Sequence, residues 1–234
     1  MNNSKIVIGG VEKFSAVDFP NTLSAVIFMQ GCPWKCPFCH NASIRDILPE
    51  NDFSWDKFYA FLQKRVGRLD AVTFSGGEPL LQDCLADYMR QVRSLGFKIG
   101  LHTGGYRPEH LADVLSLVDW VGLDIKTDFD ARKYQVITGA NHLKNVQKSL
   151  DLLLSWGGNF ECRTTCDPRF LTIDDLYAIA QNLHAKGVKK YFLQKYRPIA
   201  SDTSTSDDMC EKLLSDERLL SYLRSNFSEF AVRR

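Results

Sequence analysis

Three cysteines, Cys32, Cys36 and Cys39, lie within eight residues of this 234-residue chain in a C-x3-C-x2-C pattern. Thiolates are preferred protein ligands of zinc and of iron–sulfur clusters. The spacing lets all three sulfurs converge on one inorganic centre from a single loop and leaves a fourth coordination position free. An open position is typical of a reactive metal site rather than a structural one.

Two kinds of centre fit the three thiols. One is a structural zinc site whose fourth ligand is His40 or a distant cysteine, but such modules usually pair two C-x2-C units, and the sequence has no second unit of that kind. The other is a 4Fe-4S cubane, in which three thiolates hold three irons and the fourth iron is free to bind a substrate. The spacing favours the iron–sulfur cluster.

Two further stretches carry residues that could bind a ligand. Gly76-Gly77-Glu78-Pro79 follows a short apolar run, and its glycines permit close backbone approach, although taken alone they are equally compatible with a tight turn. Asp124 and Lys126 stand two residues apart, so a strand places them on the same side. Two charges on an inward face either bind something or neutralise each other.

Arg163 could clamp a carboxylate through two hydrogen bonds, or pair with a Glu at the seam of a barrel. If its side chain points into the barrel, its neighbour Cys162 and also Cys166 face the helices, because side chains alternate along a strand. These two cysteines, like Cys84 and Cys210, are then expected to be buried core residues. The sequence therefore predicts one cluster and no second one.

The elements that position these residues alternate between strands and helices, and we predict strands at residues 23–29, 71–75, 97–102, 120–126, 160–166 and 190–194. Six such units imply a parallel sheet with right-handed crossovers. Since a full TIM barrel needs eight, the fold is predicted to be α/β, a partial TIM-like (β/α)6 barrel that is open on one side. The candidate residues follow the carboxyl ends of strands, where such folds bind ligands.

The length suits a single domain over residues 1–234. Within it, residues 1–22 are expected to form an N-terminal lid segment over one barrel end. Residues 200–234 are expected to form a polar linker followed by one helix, at about residues 207–223. Cap residues at 51–54 predict the start of the first crossover helix.

The overall composition excludes several classes of protein. A net charge of +1 gives no general field for nucleic acid or for an acidic membrane. The first residues lack the apolar core of a signal peptide, and no apolar run is long enough to span a bilayer. Seven cysteines in a chain of this size suit free thiols and a reducing compartment. We therefore expect a cytoplasmic protein.

The C-x3-C-x-aromatic-C pattern after the first predicted strand resembles the signature of the radical S-adenosylmethionine superfamily, which has a barrel of this type. The resemblance implies that Cys32, Cys36 and Cys39 ligate a 4Fe-4S cluster. It also implies that the cluster's unique iron chelates S-adenosylmethionine and, once reduced, yields a 5'-deoxyadenosyl radical. The cofactor-binding residues implied or considered are Phe38, Cys39, His40, Gly76, Gly77, Glu78, His102, Asp124, Lys126 and Arg163.

Within the superfamily, Cys39-His40-Asn41 and the D-x-K at 124–126 resemble the activating enzymes of glycyl radical enzymes. Residues 13–20, Lys-Phe-Ser-Ala-Val-Asp-Phe-Pro, are more narrowly similar to the anaerobic ribonucleoside-triphosphate reductase activating proteins. This resemblance implies abstraction of a hydrogen atom from a glycine of the reductase, with a flavodoxin- or ferredoxin-type electron donor. Pyruvate formate-lyase activases, small-molecule radical enzymes and a non-enzymatic metal-binding module are the alternatives.

One stretch departs from the pattern of the pyruvate formate-lyase type. Those activases have Asp-Thr-Asn-Gly after the third strand of the barrel, whereas this chain has His102-Thr103-Gly104-Gly105. The difference puts in doubt any cation site built on the missing Asp. His102 either fills that space or is an ordinary hydrogen-bonded histidine.

Overall fold

The computed structural model describes residues 5–48, 50, 52–199 and 202–234. In these residues a single sheet contains eight strands, named in chain order: β1 (Ile8–Ser15), β2 (Ser24–Met29), β3 (Ala71–Gly76), β4 (Lys98–Thr103), β5 (Trp120–Asp124), β6 (Phe160–Cys166), β7 (Lys190–Lys195) and β8 (Glu229–Arg233). The six predicted strands correspond to β2 through β7, with ends that differ by at most two residues.

The helices pack on the outer face of the sheet. They are α1 (Trp55–Gln63), α2 (Leu85–Ser94), α3 (Pro108–Val114), α4 (Ala131–Thr138), α5 (Leu143–Trp156), α6 (Ile173–Ala185), α7 (Asp207–Leu214) and α8 (Glu217–Asn226). Helix α6 begins with a capping box between Thr172 and Asp175, and the side chain of Ser54 caps α1. Asn51, also considered as a cap, lies outside the described residues. No helix of the described residues has the length and apolar character needed to cross a bilayer.

The strands follow one another in sequence order across the sheet, from β1 to β8. All neighbouring pairs from β2 to β8 are parallel, while β1 pairs with β2 in the antiparallel direction. Within the described residues β1 and β8 do not pair, so the sheet does not close. The prediction of an α/β fold with a partial, open barrel is confirmed.

The N-terminal segment contains more structure than a lid. Ile8–Ser15 is an edge strand, and the turn after it carries Phe19 into the barrel, where the ring packs against Trp120 at 5.5 Å. A Cβ on Gly100 would lie 2.8 Å from the Phe19 ring. The segment therefore closes the end of the barrel opposite the cysteine loop from inside. Residues 1–4 lie outside the described residues.

The prediction of one helix over residues 207–223 is wrong. Ser215 interrupts it, and Asp216 caps a second helix by accepting a hydrogen bond from the Leu219 amide at 2.8 Å. The chain then adds β8, in which partly buried Phe230 and Val232 alternate with more polar positions. This period of two was the sequence signal for a strand. Ser201, in the predicted linker, is not among the described residues.

Two smaller features also differ from the sequence prediction. Helix α4 was not predicted, although Asp130 caps its start and Gly139, at a φ of 71°, ends it. The apolar spacing of Leu81, Leu85, Met89 and Val92 predicts one helix, but Leu81 does not belong to it. It lies in a short 3-10 turn, Pro79–Leu81, that precedes α2.

The two faces of the sheet differ in polarity. The outer face packs against the helices with apolar side chains, whereas the inner face carries polar groups on neighbouring strands. Ser75, His102, Asp124 and Arg163 line one internal cavity. Closed barrels of this family of folds fill their interior with branched apolar residues. A polar interior indicates that this barrel binds a ligand inside.

Candidate active site

The cysteine loop starts at the end of β2 and is fixed by backbone hydrogen bonds to its own far end. The amide of Gly31 donates to the carbonyl of Ile44 at 2.8 Å, and that of Cys32 donates to Arg45 at 2.9 Å. Arg45 in turn donates through Nη1 to the carbonyl of Cys36 at 3.3 Å. These bonds hold the loop closed, so the three thiols are presented by a defined backbone.

Gly76 and Gly77 lie where the end of β3 meets the cysteine loop. A Cβ on Gly76 would come within 2.2 Å of the Met29 amide nitrogen, and one on Gly77 within 2.1 Å of the Gly31 carbonyl oxygen. Gly77 donates to the carbonyl of Met29, and Glu78 to that of Gly31, both at 2.9 Å. The close backbone approach that the glycines permit is thus, first of all, to the cysteine loop itself.

A cavity of about 200 Å³ lies above these turns and inside the carboxyl end of the sheet. Every residue considered as a cluster or cofactor ligand from the sequence lines it: Cys32, Cys36, Phe38, Cys39, His40, Gly76, Gly77, Glu78, His102, Asp124, Lys126 and Arg163. Six other residues share the lining: Trp34, Asn41, Ser75, Thr103, Gly104 and Thr165. The topology therefore brings the whole predicted set together, while their binding roles stay predictions.

Glu78 is buried and makes hydrogen bonds within the protein. Its carboxylate accepts from the Thr103 hydroxyl at 2.6 Å, from the Gly104 amide at 2.7 Å and from the Leu80 amide at 3.0 Å. Burial raises the pKa of Glu78 to about 7, against the lowering effect of these donors. The side chain ties the end of β3 to the end of β4, so much of its hydrogen-bonding capacity is used before any ligand arrives.

Asp124 stands between two cations. Its Oδ1 accepts from Nε and Nη2 of Arg163 at 3.0 and 2.8 Å, and its Oδ2 lies 3.8 Å from Nζ of Lys126. Burial would raise the pKa of Asp124, but Arg163 and Lys126 together hold it below its ordinary value. The partner of Arg163 is thus an Asp rather than the Glu considered from the sequence. A Cβ on Gly122 would lie 2.8 Å from Cζ of Arg163, so this glycine makes room for the guanidinium.

Lys126 is a largely buried cation beside the cysteine loop. Its Nζ lies over the Trp34 ring, 5.7 Å from the centroid, and its side chain is 13% exposed. Burial would lower the pKa of Lys126, but Cys36 and Asp124 raise it above its ordinary value. Burial raises the pKa of Cys32 to about 12, and raises that of Cys36, while Lys126 acts in the opposite direction on both. The buried ammonium is therefore placed to compensate negative charge on the cysteine loop.

His102 is held by two hydrogen-bonding contacts. Its Nε2 lies 2.7 Å from the carbonyl oxygen of Asp18, and its Nδ1 lies 3.4 Å from Oγ of Ser75. Because a carbonyl only accepts, Nε2 must carry the hydrogen and Nδ1 must accept. Burial, with the positive charge of Arg163, lowers the pKa of His102 to about 3. These contacts favour the ordinary hydrogen-bonded histidine over a residue that fills a cation site.

We expect the variant H102Q to lose part of the pH dependence of stability. An unfolded chain takes up a proton at histidine below pH 6.5, whereas native His102 does so only near pH 3. Stability therefore falls as the pH drops through 6.5, by at most about 1.4 kcal/mol per pH unit from this group. Urea unfolding of the reduced apoprotein at about pH 5, 6 and 7 measures the slope. The surface variant H184Q is the control, and an unchanged slope in H102Q would contradict the assignment.

Aromatic side chains form the wall beside Phe38 and His40. Phe170 packs on Phe38 with ring centroids 6.5 Å apart, and Tyr196 meets the His40 ring edge-on at 6.3 Å. The guanidinium of Arg169 lies over both, 5.3 Å from the Phe170 centroid and 4.9 Å from that of Tyr196. These contacts come from the loops after β6 and β7. Sequence reasoning missed them because nothing local links these residues to the cysteine loop.

The remaining four cysteines are buried and free of disulfides: Cys84, Cys162, Cys166 and Cys210. Cys162 and Cys166 are completely inaccessible to solvent, while Arg163 and Thr165 between them line the cavity. The alternation predicted for this strand is confirmed, and the four thiols lie apart from the cavity lining.

Comparison with known proteins shows to which family this chain belongs. The family model of the Radical SAM superfamily matches residues 26–160. A protein of Methanocaldococcus jannaschii provisionally named a glycyl-radical enzyme activating enzyme is 33% identical over 205 residues, which cover 83% of this chain and 81% of that protein. The pyruvate formate-lyase-activating enzyme of Clostridium pasteurianum is 32% identical over 137 residues, covering 56% of this chain and 57% of that enzyme.

The fold has solved counterparts as well. SuiB of Streptococcus suis, in a crystal structure bound to S-adenosylmethionine, superposes with a TM-score of 0.66 at 15% identity. The superposition covers 88% of this chain and 48% of SuiB, so the chain spans about half the length of that protein. The matched residues 26–160 run from the strand before the cysteine loop to the start of β6 and include the glycine turn and the D-x-K pair. The chain therefore belongs to the radical SAM superfamily, and within it resembles the glycyl-radical enzyme activating enzymes.

Proposed function

We propose that this chain is a radical S-adenosylmethionine enzyme that generates a glycyl radical on anaerobic ribonucleoside-triphosphate reductase. One observation carries the proposal: a single cavity gathers the three thiols of the cysteine loop, the Gly-Gly-Glu turn and the Asp124–Lys126 pair. The relative from Methanocaldococcus jannaschii, matched over most of both chains, supports the activase class.

Members of the superfamily use a 4Fe-4S cluster, and the cysteine loop fits one. All three thiols are free of disulfides. The family match therefore favours the cluster over a structural zinc site.

The charges around the cavity fit S-adenosylmethionine, which carries both a carboxylate and an ammonium group. Lys126 and Arg163 supply positive charge, Asp124 supplies negative charge, and Phe38 supplies an aromatic surface. A 4Fe-4S cluster held by Cys32, Cys36 and Cys39 would, once reduced, supply the electron for cleavage of bound S-adenosylmethionine to methionine and a 5'-deoxyadenosyl radical. The chain's own part is to orient the ligand and to compensate the thiolate charge.

The choice of the reductase as partner is supported by residues 13–20. Asp18 in this stretch accepts the hydrogen bond of His102, so the segment that resembles reductase activases contacts the residue that departs from the pyruvate formate-lyase pattern. Pyruvate formate-lyase is the second candidate, because several named relatives activate that enzyme. As electron donor we propose a flavodoxin or a ferredoxin.

The test is anaerobic reconstitution followed by activation assays. We expect the reconstituted, dithionite-reduced protein to release 5'-deoxyadenosine from S-adenosylmethionine, and to produce a glycyl radical signal in electron paramagnetic resonance with the reductase. Pyruvate formate-lyase is assayed in parallel. A signal only with the lyase would replace the partner, and nucleoside release with neither signal would favour a small-molecule substrate. Absence of a cluster would leave the metal-binding module.

A further inference from the structure

A second ion pair lies inside the barrel, and neither of its residues belongs to the cavity lining. Arg233, on β8, donates through Nη1 and Nη2 to the two carboxylate oxygens of Glu161 on β6, at 2.5 and 3.0 Å. The guanidinium also lies over the Phe192 ring of the intervening strand, 3.9 Å from its centroid. The pair thus reaches across one strand and connects the edge of the sheet to its middle.

The register of the sheet places this pair on the inner face. Glu161 is two residues from Arg163, which lines the cavity, so both side chains point inward. Arg233 pairs in register with Gln194, and Gln194 with Thr165, another residue of the cavity lining. Arg233 therefore lies on the inner face of the edge strand that borders the gap between β8 and β1, level in register with a residue of the cavity lining.

The two members of the pair differ in what they can still bind. The Glu161 side chain is 2% exposed and is occupied by Arg233, whereas the Arg233 side chain is 36% exposed. A guanidinium has five N–H donors, and the bonds to Glu161 occupy two of them. In the part of the chain that the structure describes, Arg233 has no other hydrogen-bond acceptor. Nε–H and one further N–H on each of Nη1 and Nη2 are thus left for a ligand.

We propose that Arg233 binds backbone carbonyl oxygens of the partner polypeptide, next to the target glycine, where that segment enters the barrel between β8 and β1. Glu161 acts as the positioning residue that fixes the guanidinium. A glycine offers no side chain for recognition, whereas the peptide groups beside it offer carbonyl oxygens as acceptors for a guanidinium. The inference rests on the proposed function, because it needs a protein substrate.

The test is the variant R233K, assayed with the anaerobic reductase as the substrate protein. Lysine keeps a positive charge beside Glu161 but lacks the planar fork of donors. We expect KM for the reductase to rise about tenfold, the size expected for loss of one charged hydrogen bond. The dissociation constant for S-adenosylmethionine, measured without turnover, should stay at the wild-type value. The double variant E161M/R233M removes the whole pair without leaving a buried charge, and should raise KM at least as much.

The matched control is R234M. Arg234 is the next residue, but it pairs with Glu211 and is 57% exposed, so its loss should leave KM unchanged. If R233K keeps the wild-type KM and loses only thermal stability, the pair is a structural link between strands and the inference is wrong. Weakened S-adenosylmethionine binding in R233K would also overturn it. Failure of the wild-type protein to activate the reductase would instead contradict the proposed function.

Discussion

Replacement of Cys36 by serine is expected to reduce strongly both iron incorporation and cleavage of S-adenosylmethionine. The hydroxyl has nearly the same size as the thiol, so the buried position stays filled, but it is a far poorer ligand for iron. Since loss of residues that only support metal ligands costs about 10- to 100-fold, loss of a ligand should reduce activity by about 100-fold or more. Iron content, the absorption spectrum and release of 5'-deoxyadenosine after anaerobic reconstitution measure the effect.

The matched control is C162A, which removes another buried thiol. Cys162 is completely buried on β6, with its side chain on the opposite face from Arg163. We expect a modest loss of stability and wild-type iron content. If C36S retained the cluster spectrum while C162A lost it, the assignment of the three ligands would be wrong.

The variant G77A is expected to lose both stability and cluster incorporation, which is the second large effect. The new Cβ would lie 2.1 Å from the Gly31 carbonyl oxygen and 2.7 Å from its carbon. Gly31 cannot easily move away, because its φ of 95° and its bonds to Ile44 and Glu78 fix it. We expect the free energy of unfolding to fall by about 3 kcal/mol, as in overpacked cores. Cluster incorporation should fall with it, since the displaced residue directly precedes Cys32.

The comparison variant is G10A on the edge strand β1. The nearest atom to its added Cβ is 3.9 Å away, which is an ordinary contact. Chemical denaturation of the two apoproteins and iron content after reconstitution separate the effects. Equal stability of G77A and G10A would mean that the cysteine loop moves to accommodate the added methyl group. Gly77 would then be needed for close approach of the ligand rather than for packing against the loop.

Much of the candidate site follows from local sequence. The spacing of Cys32, Cys36 and Cys39 favours an iron–sulfur cluster, because a short loop must bring the three sulfurs together. Gly76, Asp124 and Arg163 could be assigned to the same end of the barrel because all follow or lie in strands of a parallel sheet, whose carboxyl ends share one edge. Period-two alternation also separated Arg163 from the buried Cys162.

Other features of the fold and of the site depend on contacts between residues far apart in the chain, and the sequence did not predict them. Three such contacts have no signature in the local sequence. They are the Phe19 ring inside the barrel, the Arg169 guanidinium over Phe170 and Tyr196, and the Arg233–Glu161 pair. The pairing of Arg163 with an Asp rather than a Glu depended on the register between β5 and β6. Registers and side-chain directions are set by packing of the whole sheet, which spacing along the chain does not encode.

Residue types at short, fixed spacing were enough to favour an iron–sulfur cluster and to indicate the α/β alternation and the family resemblance. The use of the glycines and charges could be seen only in the folded sheet. The structure showed that Gly77 makes room for the cysteine loop, that Glu78 and His102 are held by the protein's own groups, and that the last strand sends Arg233 into the barrel. The reason is that steric fit and hydrogen-bond partnership exist only between groups that the folded sheet brings together.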